Sequence, residues 1–440
     1  MTEDHSQLMI TYNSVDALRQ NPHNSRTHSK HQIKQIAESI KTFGFTNPIL
    51  LDDTQTVAAG TGRLLAAKSL GIKEVPTVRL SNLSPAQIRA YVIADNRLAE
   101  KAGWDRSILA IELQHLITID TEFDITVTGF ETPEIDLLLS ADLVPADEIV
   151  EVPSDSEPIT QPGDIWTLGR HRIICGNAIK ENTYSQLLGD KRAAVVFVDP
   201  PYNVRIDGNV SGKGAIRHRE FLMGSGEMTN TEFDLFLGSG FKLLAKHSTG
   251  GSVHFVCTDW RHVGEMLAAG KLVYDCVLNI CVWVKNVGGM GSLYRSQHEF
   301  VIVFRNGEKK HRNNIQLGRY GRNRTNVWEY PSINSTSKSG DEGNLLALHP
   351  TVKPVALVAD ALLDCSARGD LVLDAFLGSG STLIAAERTG RVCFGIEIDP
   401  KYADVAVRRW QRHTGDHAVH VVTGKRFDEI AGDRLEVARG

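Results

Sequence analysis

The chain has 440 residues, of which 42% are hydrophobic and 23% charged, and its formal net charge is -5. This length favours two or three domains, and the acidic balance excludes a surface that is basic throughout, so any DNA contact must come from a local patch. The six cysteines form no CxxC pair, which predicts reduced, mostly buried thiols and no metal site.

The N-terminus lacks the basic start and apolar run of a signal peptide, and no apolar stretch approaches membrane-spanning length. We therefore expect a cytoplasmic protein.

The N-terminal module, residues 1–143, alternates predicted helices and short strands. Apolar residues at 33, 36, 40 and 43 predict a helix that Gly44 ends. NPILLDD predicts a strand, GTGRLLAAKSLG a helix behind two glycines, and EVPTVRL another strand. A helix from Pro85 to about Lys101 and a last helical region ending near Leu143 complete the module.

An acidic linker is predicted over residues 144–164, because this stretch has four prolines and no Lys or Arg. The C-terminal module, residues 165–440, contains six strongly apolar runs: AAVVFVD, GSVHFVC, CVLNICVWV, EFVIVF, LVLDAF and VCFGIEID. Most are separated by stretches able to form helices, which indicates an α/β fold with a buried, largely parallel sheet covered on both faces.

The first of these runs ends in Asp199, Pro200, Pro201 and Tyr202. Prolines stop the strand here and expose a carboxylate, a carbonyl and an aromatic ring together. An exocyclic amine is a poor nucleophile because its lone pair is delocalised into its ring. Accepting its two hydrogens on Asp199 and the Pro200 carbonyl, with Tyr202 stacked on the ring, favours a tetrahedral, reactive nitrogen. The structural alternative is a simple proline-rich turn.

Two regions between this motif and residue 350 are candidates for DNA contact. The stretch after Tyr202 is rich in glycine and basic residues and predicts a loop that orders over flipped-out DNA. Residues 285–324 carry nine Lys or Arg against two Glu. They predict a phosphate-binding surface that includes Arg295, Arg312, Arg319, Arg322 and Arg324. Tyr294, Tyr320 and Trp328 are interleaved with these residues, and Asn313, Asn314, Gln316 and Asn323 could contact base edges. A solvated charged face is the alternative.

A cofactor site is indicated by the strand LVLDAF, which runs into a glycine turn containing Gly378, Ser379 and Gly380. Such a turn lets the backbone of a helix N-terminus approach a ligand. Glu397 ends the next strand, where a carboxylate can accept both hydroxyls of a ribose. The pattern therefore predicts a nucleoside-containing cofactor.

DPPYNV, HPTVKP, DAFLGSGST and GIEIDPKY occur in this order and resemble the beta-class DNA amino-methyltransferases, in which the catalytic motif precedes the cofactor loop. The resemblance covers roughly Gly163 to His420. It implies a Rossmann-like sheet that binds S-adenosylmethionine, and a target-recognition region at about 285–345. It also implies modification of double-stranded DNA, as in restriction–modification, and leaves homodimerisation and a partner nuclease open.

The resemblance also assigns individual residues. Lys353 and Pro354 would lie beside the methionine part of the cofactor, and Glu397 would bind its ribose. RIICGNA resembles a family segment in which Gly-Asp holds the adenosine, with Asn177 in place of the Asp. The remaining residues around the cofactor would be Asp374, Phe376, Gly378, Ser379 and Gly380.

Residues 8–105 resemble the ParB-like domain through NPHNSRTH, TNPILLDD, GTGRLLAAKSLG and ADNRLAE. The resemblance implies a small α+β domain whose relatives bind nucleotides or DNA. Arg63 and Arg97 are then candidates for phosphate binding, or ordinary surface arginines.

The expected activity is site-specific methylation of adenine N6, and several alternatives stay open. Cytosine N4 uses the same amine chemistry, and RNA or a protein amide are further substrates of that kind. C5 methylation of cytosine is disfavoured because no Pro-Cys dipeptide presents a thiolate. A ParB-like DNA-binding protein with a relic methyltransferase half is the alternative from a different class.

Overall fold

The computed structural model describes residues 8–119, 123–139, 157–203, 226–286, 288, 293–318, 322–331 and 352–437. The chain divides into two compact units, Met1–Leu139 and Ser140–Gly440. The predicted linker lies outside the described residues up to position 156, as does most of the glycine-rich stretch after Tyr202.

The first unit is a four-stranded sheet with helices. Its elements are β1 (Ile10–Ser14), α1 (Lys30–Phe43), β2 (Ile49–Leu51), β3 (Val57–Ala59), α2 (Thr61–Leu70), β4 (Glu74–Arg79), α3 (Pro85–Lys101), α4 (Arg106–Thr118) and α5 (Thr132–Leu139). The strand order is β1-β4-β2-β3. Gly44 ends α1 with a φ of 79°, as its position predicted. The short strands β1 and β3 have no clear signal in the sequence.

The second unit begins with β5 (Ile165–Leu168), β6 (His171–Cys175), α6 (Glu181–Leu188), β7 (Ala193–Val198), α7 (Asn230–Lys246), β8 (Ser248–Thr258), α8 (Val263–Lys271), β9 (Cys276–Val284) and β10 (His298–Asn306). It continues with β11 (Val327–Glu329), α9 (Val355–Cys365), β12 (Leu371–Asp374), α10 (Ser381–Thr389), β13 (Val392–Glu397), α11 (Pro400–Thr414), β14 (Val419–His420) and α12 (Phe427–Val437). All six predicted apolar runs form strands of this unit.

These strands form one sheet in the order β11-β9-β10-β8-β7-β12-β13-β6-β5-β14. The central strands β8, β7, β12, β13 and β6 are parallel, as expected. The flanks differ from the expectation, because β10 is antiparallel to both its neighbours and β5 is antiparallel to β6 and β14. β5 and β6 are joined by Gly169 and Arg170 alone, and so short a turn permits only antiparallel pairing.

Both faces of the central sheet are covered. Val195 and Phe197 of β7 pack in a cluster with residues of α9, α10 and α11. Val196 and Val198 face the other way, into a cluster with residues of α6, α7 and α8. This burial explains why the strand sequences are almost continuously apolar.

The parallel strands β7, β12 and β13 all end at the same edge of the sheet, here called the cleft edge. β10 runs the opposite way, so it begins at the cleft edge and ends at the opposite edge. Ligands of open α/β sheets bind beyond the carboxyl ends of the strands.

All six cysteines are free and five are buried, as predicted. Among the described helices, none is long and apolar enough to cross a membrane.

Candidate active site

The predicted catalytic motif follows β7 directly. The Tyr202 hydroxyl donates a hydrogen bond to Asp199 Oδ1 at 2.5 Å, and Lys353 Nζ donates one to Asp199 Oδ2 at 2.5 Å. Each carboxylate oxygen keeps a second lone pair for a further donor. Burial raises the pKa of Asp199, although the Lys353 ammonium opposes this shift.

Lys353 also faces a second carboxylate. Its Nζ lies 3.1 Å from Glu299 Oε2, and Glu299 Oε1 lies 2.5 Å from Lys285 Nζ. Burial favours a higher pKa for Glu299, but Lys353 and Lys285 together hold that pKa below its ordinary value. Burial likewise opposes the charge of Lys353, yet Asp199 and Glu299 raise the pKa of this amine. We call Asp199, Lys353, Glu299 and Lys285 the charge array, since its signs alternate.

The aromatic ring of Tyr202 is supported from one side by His262. The two ring centroids are 6.2 Å apart and the ring planes differ by 19°. His262 is held by Asp259, whose Oδ1 lies 2.7 Å from the His262 Nδ1. Both residues lie just after β8, next to β7 in the sheet. The sequence gives no local signal for this contact, because it depends on strand order.

The glycine turn joins β12 to α10. Gly378 and Gly380 have φ angles of 53° and 84°, in the left-handed region that favours glycine. Glu397, the last residue of β13, accepts the Gly378 N–H with Oε2 at 2.7 Å and the Asp399 N–H with Oε1 at 2.8 Å. Burial raises the pKa of Glu397 to about 7. Glu397 therefore fixes the turn and presents its carboxylate at the cleft edge.

One cleft brings the two predicted sites together. The predicted residues that line it are Asn177, Asp199, Pro200, Pro201, Tyr202, Lys353, Asp374, Phe376, Gly378, Ser379 and Glu397. Pro354 and Gly380 are instead the N-cap residues of α9 and α10. A Cβ on Gly380 would lie 3.0 Å from the Ala406 Cβ, so this glycine allows close packing of α10 on α11.

Several lining residues were missed by sequence reasoning, namely Phe236, Leu377, Thr382, Asp399 and Tyr402. Asp399 had a usable signal, because Asp-Pro after a strand is typical of a helix N-cap. Its carboxylate indeed accepts the Lys401 N–H at 2.9 Å. Asn177 caps a turn of its own, accepting the Ile179 N–H with Oδ1 at 3.0 Å. Its side-chain amide is thus partly committed to the turn after β6.

Three family models match this chain. The model described as DNA methylase, of the N6/N4 type, matches residues 193–408, which contain Asp199, Lys353 and Glu397. The ParB N-terminal domain matches residues 1–96, and the ParB-methyltransferase HTH domain matches residues 107–162. The chain contains a DNA methylase domain of the N6/N4 type and a ParB-like N-terminal domain.

Individual proteins resemble different parts of the methylase. The ParB-like nuclease domain-containing protein YnaK of Escherichia coli K12 is 45% identical over 80 residues, which are 18% of this chain and 92% of that protein. The type II methyltransferase M.HpaI of Haemophilus parainfluenzae is 25% identical over 252 residues, 54% of this chain and 73% of that protein. The solved cytosine-N4-specific PvuII DNA methyltransferase matches with a TM-score of 0.42 and 15% identity, covering 63% of this chain and 94% of that chain.

The methylase uses S-adenosylmethionine, and the cleft fits this cofactor. Each oxygen of the buried Glu397 carboxylate accepts one backbone N–H and retains a lone pair. Two ribose hydroxyls can donate to those lone pairs. Asp374, at the end of β12, adds a second buried carboxyl, whose pKa burial raises to about 7.

The basic region contains two arginines that are unsuited to phosphate binding. Arg322 Nη2 lies 2.7 Å from Asp364 Oδ1, and Arg324 Nη1 lies 2.9 Å from Asp360 Oδ2. The two side chains are 8% and 17% exposed. Their expected DNA contact is therefore corrected: both guanidinium groups are buried in an ion-pair network with α9, where their charges are already paired with Asp360 and Asp364. Arg319 lies outside the described residues.

The other predicted contacts of this region divide between the two edges of the sheet. Arg295 is exposed and close to the start of β10, at the cleft edge, where Nη2 donates to the Gly288 carbonyl at 2.5 Å. Arg312 is exposed beyond the end of β10, at the opposite edge. Asn314 is buried and donates to the carbonyls of Leu363 and Ser366, so its expected base contact is also corrected. Trp328 is buried in the core.

In the ParB-like domain, the two candidate arginines make intramolecular contacts. Arg63 Nη1 donates to the carbonyls of Asn47 at 2.9 Å and Pro48 at 3.1 Å. Arg97 forms an exposed ion pair with Glu100 at 3.0 Å. These contacts agree with the interpretation of both residues as ordinary arginines and give no support to phosphate binding.

Proposed function

We propose that this methylase transfers a methyl group to N6 of adenine in double-stranded DNA, with Asp199 to Tyr202 as the catalytic residues. The observation that carries the proposal is the position of Asp199 in the same cleft as Gly378 and Glu397. The carboxylate proposed to accept the amine hydrogens and the carboxylate proposed to bind the cofactor ribose therefore line one cavity. The choice of adenine rests on the DPPY sequence, which resembles the adenine enzymes.

The residues supply the groups that the amine chemistry requires. S-adenosylmethionine, when bound, supplies an electrophilic methyl group. Asp199 and the Pro200 carbonyl accept the two amine hydrogens, which localises the nitrogen lone pair. As the N–C bond forms and the methyl–sulfur bond breaks, the nitrogen must lose one proton. Asp199, whose pKa is raised by burial, would hold that proton.

Tyr202 and Glu397 hold the two reactants in the proposed complex. Tyr202, supported by His262, stacks on the base, and Glu397 binds the ribose of the cofactor. Asn177, Asp374, Phe376 and Ser379 complete the cofactor site. Lys353 stays charged between its two carboxylates.

The test is nucleoside mass spectrometry of duplex DNA treated with the full chain and Asp199→Ala. We expect N6-methyladenine from the parent and at least a hundred-fold less from the variant, in line with the 10²–10⁴ contribution of a positioned proton acceptor. Cofactor affinity should stay within a few-fold, because Glu299 still neutralises Lys353 in the variant. N4-methylcytosine in the parent's product would instead refute the choice of base.

A further inference from the structure

Asp199 presents a difficulty for the proposed reaction. Its Oδ1 accepts from Tyr202 and its Oδ2 from Lys353, both at 2.5 Å. A target amine that donates to the second lone pair of Oδ2 would share this oxygen with a charge-assisted hydrogen bond from Lys353. An ammonium fixed on Asp199 also makes the carboxylate a weaker acceptor.

Lys353 has an alternative partner within reach. Glu299 is the second residue of β10, and its Oε2 lies 3.1 Å from Lys353 Nζ. This buried oxygen forms an ion pair but makes no aligned hydrogen bond among the described residues. The Lys353 hydrogen bond therefore points to Asp199, while Glu299 holds an acceptor position that a small movement of the ammonium would fill.

Register fixes Glu299 in this place. Trp283 of β9 is its cross-strand partner, and Lys285 holds its other oxygen at 2.5 Å. Lys285 Nζ and Lys353 Nζ lie 4.8 Å and 5.9 Å from the centroid of the Trp283 ring. The carboxylate is thus anchored on one oxygen and available on the other.

We propose that Glu299 is a positioning residue of methyl transfer, which takes the Lys353 ammonium when the target amine occupies Asp199 Oδ2. The inference rests on the proposed amine methylation and applies to adenine and cytosine alike. Lys285 keeps Glu299 ionised and oriented during this exchange. The array remains neutral in both arrangements, because the ammonium only moves between two carboxylates.

The test compares Glu299→Gln with Glu299→Asp and with Glu387→Gln. Glu387 is a matched control: it is also a partly buried carboxylate, bound to His171 at 2.7 Å and Trp410 at 2.8 Å, near the opposite edge. In Glu299→Gln, Lys353 is left with Asp199 as its sole anion within the array. We expect kcat for DNA methylation to fall at least about ten-fold, a part of the 10²–10⁴ contributed by a positioned proton acceptor.

The pH profile of kcat distinguishes a positioning role of Glu299 from a role in stability alone. The negative charge of Glu299 raises the pKa of Asp199, so its removal should shift the acid limb of kcat to lower pH. Glu299→Asp, which keeps the charge, should recover part of kcat. Its acid limb should lie closer to the pH of the parent's acid limb. Cofactor and DNA affinities should stay within about two-fold, less than 1 kcal/mol. Glu387→Gln should change thermal stability alone.

Two results would overturn the inference. One is a Glu299→Gln enzyme with the parent's kcat, while Asp199→Ala is inactive. The other is a loss of kcat with an unshifted acid limb. Failure of the proposed function is distinguishable, since it appears as full activity in Asp199→Ala.

Discussion

Glu397 links the backbone of the glycine turn to the proposed ribose site through one carboxylate. In the proposed site, this carboxylate can accept two ribose hydroxyls only when it is ionised. Because burial raises its pKa to about 7, a growing fraction of the unliganded protein is protonated as the pH falls below 7. Cofactor binding must then displace a proton.

We therefore predict that cofactor affinity weakens by up to about ten-fold for each pH unit between 7 and 5, since one pKa unit corresponds to about 1.4 kcal/mol. Affinity should level off above pH 8, where Glu397 is ionised. Glu397→Gln should bind about ten to a hundred times more weakly at pH 8 and have a flatter profile. Isothermal titration with S-adenosylmethionine at several pH values measures both effects.

Asp374→Asn is the control for this measurement. The pKa of Asp374 is also raised to about 7, but its Oδ1 accepts the Phe376 N–H at 3.0 Å and is not assigned to the ribose. If the pH dependence disappears in Asp374→Asn and persists in Glu397→Gln, then Glu397 is not the pH-sensitive ligand.

At the scale of elements, residues 322–331 pack against α9. This packing explains why some arginines of the basic region stabilise the fold. Arg324 pairs with Asp360 and Asp364, which follow it by 36 and 40 positions in the chain. Removing one member of a buried ion pair leaves its partner uncompensated. Arg324→Ala should therefore lower the free energy of unfolding by roughly 3 kcal/mol.

The same variant should leave the salt dependence of DNA binding unchanged, whereas Arg295→Ala should reduce the slope by about 0.9 with stability within about 0.5 kcal/mol of the parent. Urea unfolding and fluorescence anisotropy at several salt concentrations measure the two quantities. A reduced slope without loss of stability in Arg324→Ala would show that this arginine binds phosphate after all.

These arginines also show what the sequence could predict and what it could not. DPPY and the glycine turn were recognisable because their chemistry is local: a few consecutive residues end a strand and expose particular groups. A run of charged residues carries no such information. Whether its members bind DNA or form ion pairs within the protein depends on which element packs against them. Arg322 and Arg324 differ from Arg295 because both pair with aspartates of α9.

Glu299 illustrates the same limit within the active site. Nothing around it in HEFVIVF distinguishes it from a carboxylate near the start of any other strand. Its role follows from the antiparallel pairing of β10, which was not expected for a largely parallel sheet. Strand direction places its side chain at the cleft edge, beside Lys353.

At the scale of the whole molecule, the proposed chemical groups all lie in the second unit, Ser140–Gly440. Ile159 and Thr160 fall within the predicted linker 144–164, but they belong to this unit's fold, since their backbone N–H groups donate to Asp404 at 2.7 and 2.8 Å. We predict that deleting residues 1–143 leaves methyl transfer measurable, with kcat within a few-fold.

On the hypothesis that the ParB-like domain contacts DNA, the apparent KM for DNA should rise in the deletion variant, because a linked DNA-binding module raises the effective concentration of the substrate. A steady-state comparison of the deletion variant with the full chain, each shown to be folded by circular dichroism, measures both parameters. A folded but inactive deletion variant would contradict the modular division.

The sheet order has a kinetic consequence for folding. β7 lies beside β12, and the Asp199–Lys353 contact joins residues 154 positions apart. Closing so long a segment costs chain entropy before the pairing of the central strands contributes any stabilising free energy. Topologies of this kind fold slowly. Asp199 and Lys353 come together only when the segment between their elements has closed. A chain still emerging from the ribosome, before α9 and β12 have been made, has no assembled catalytic site.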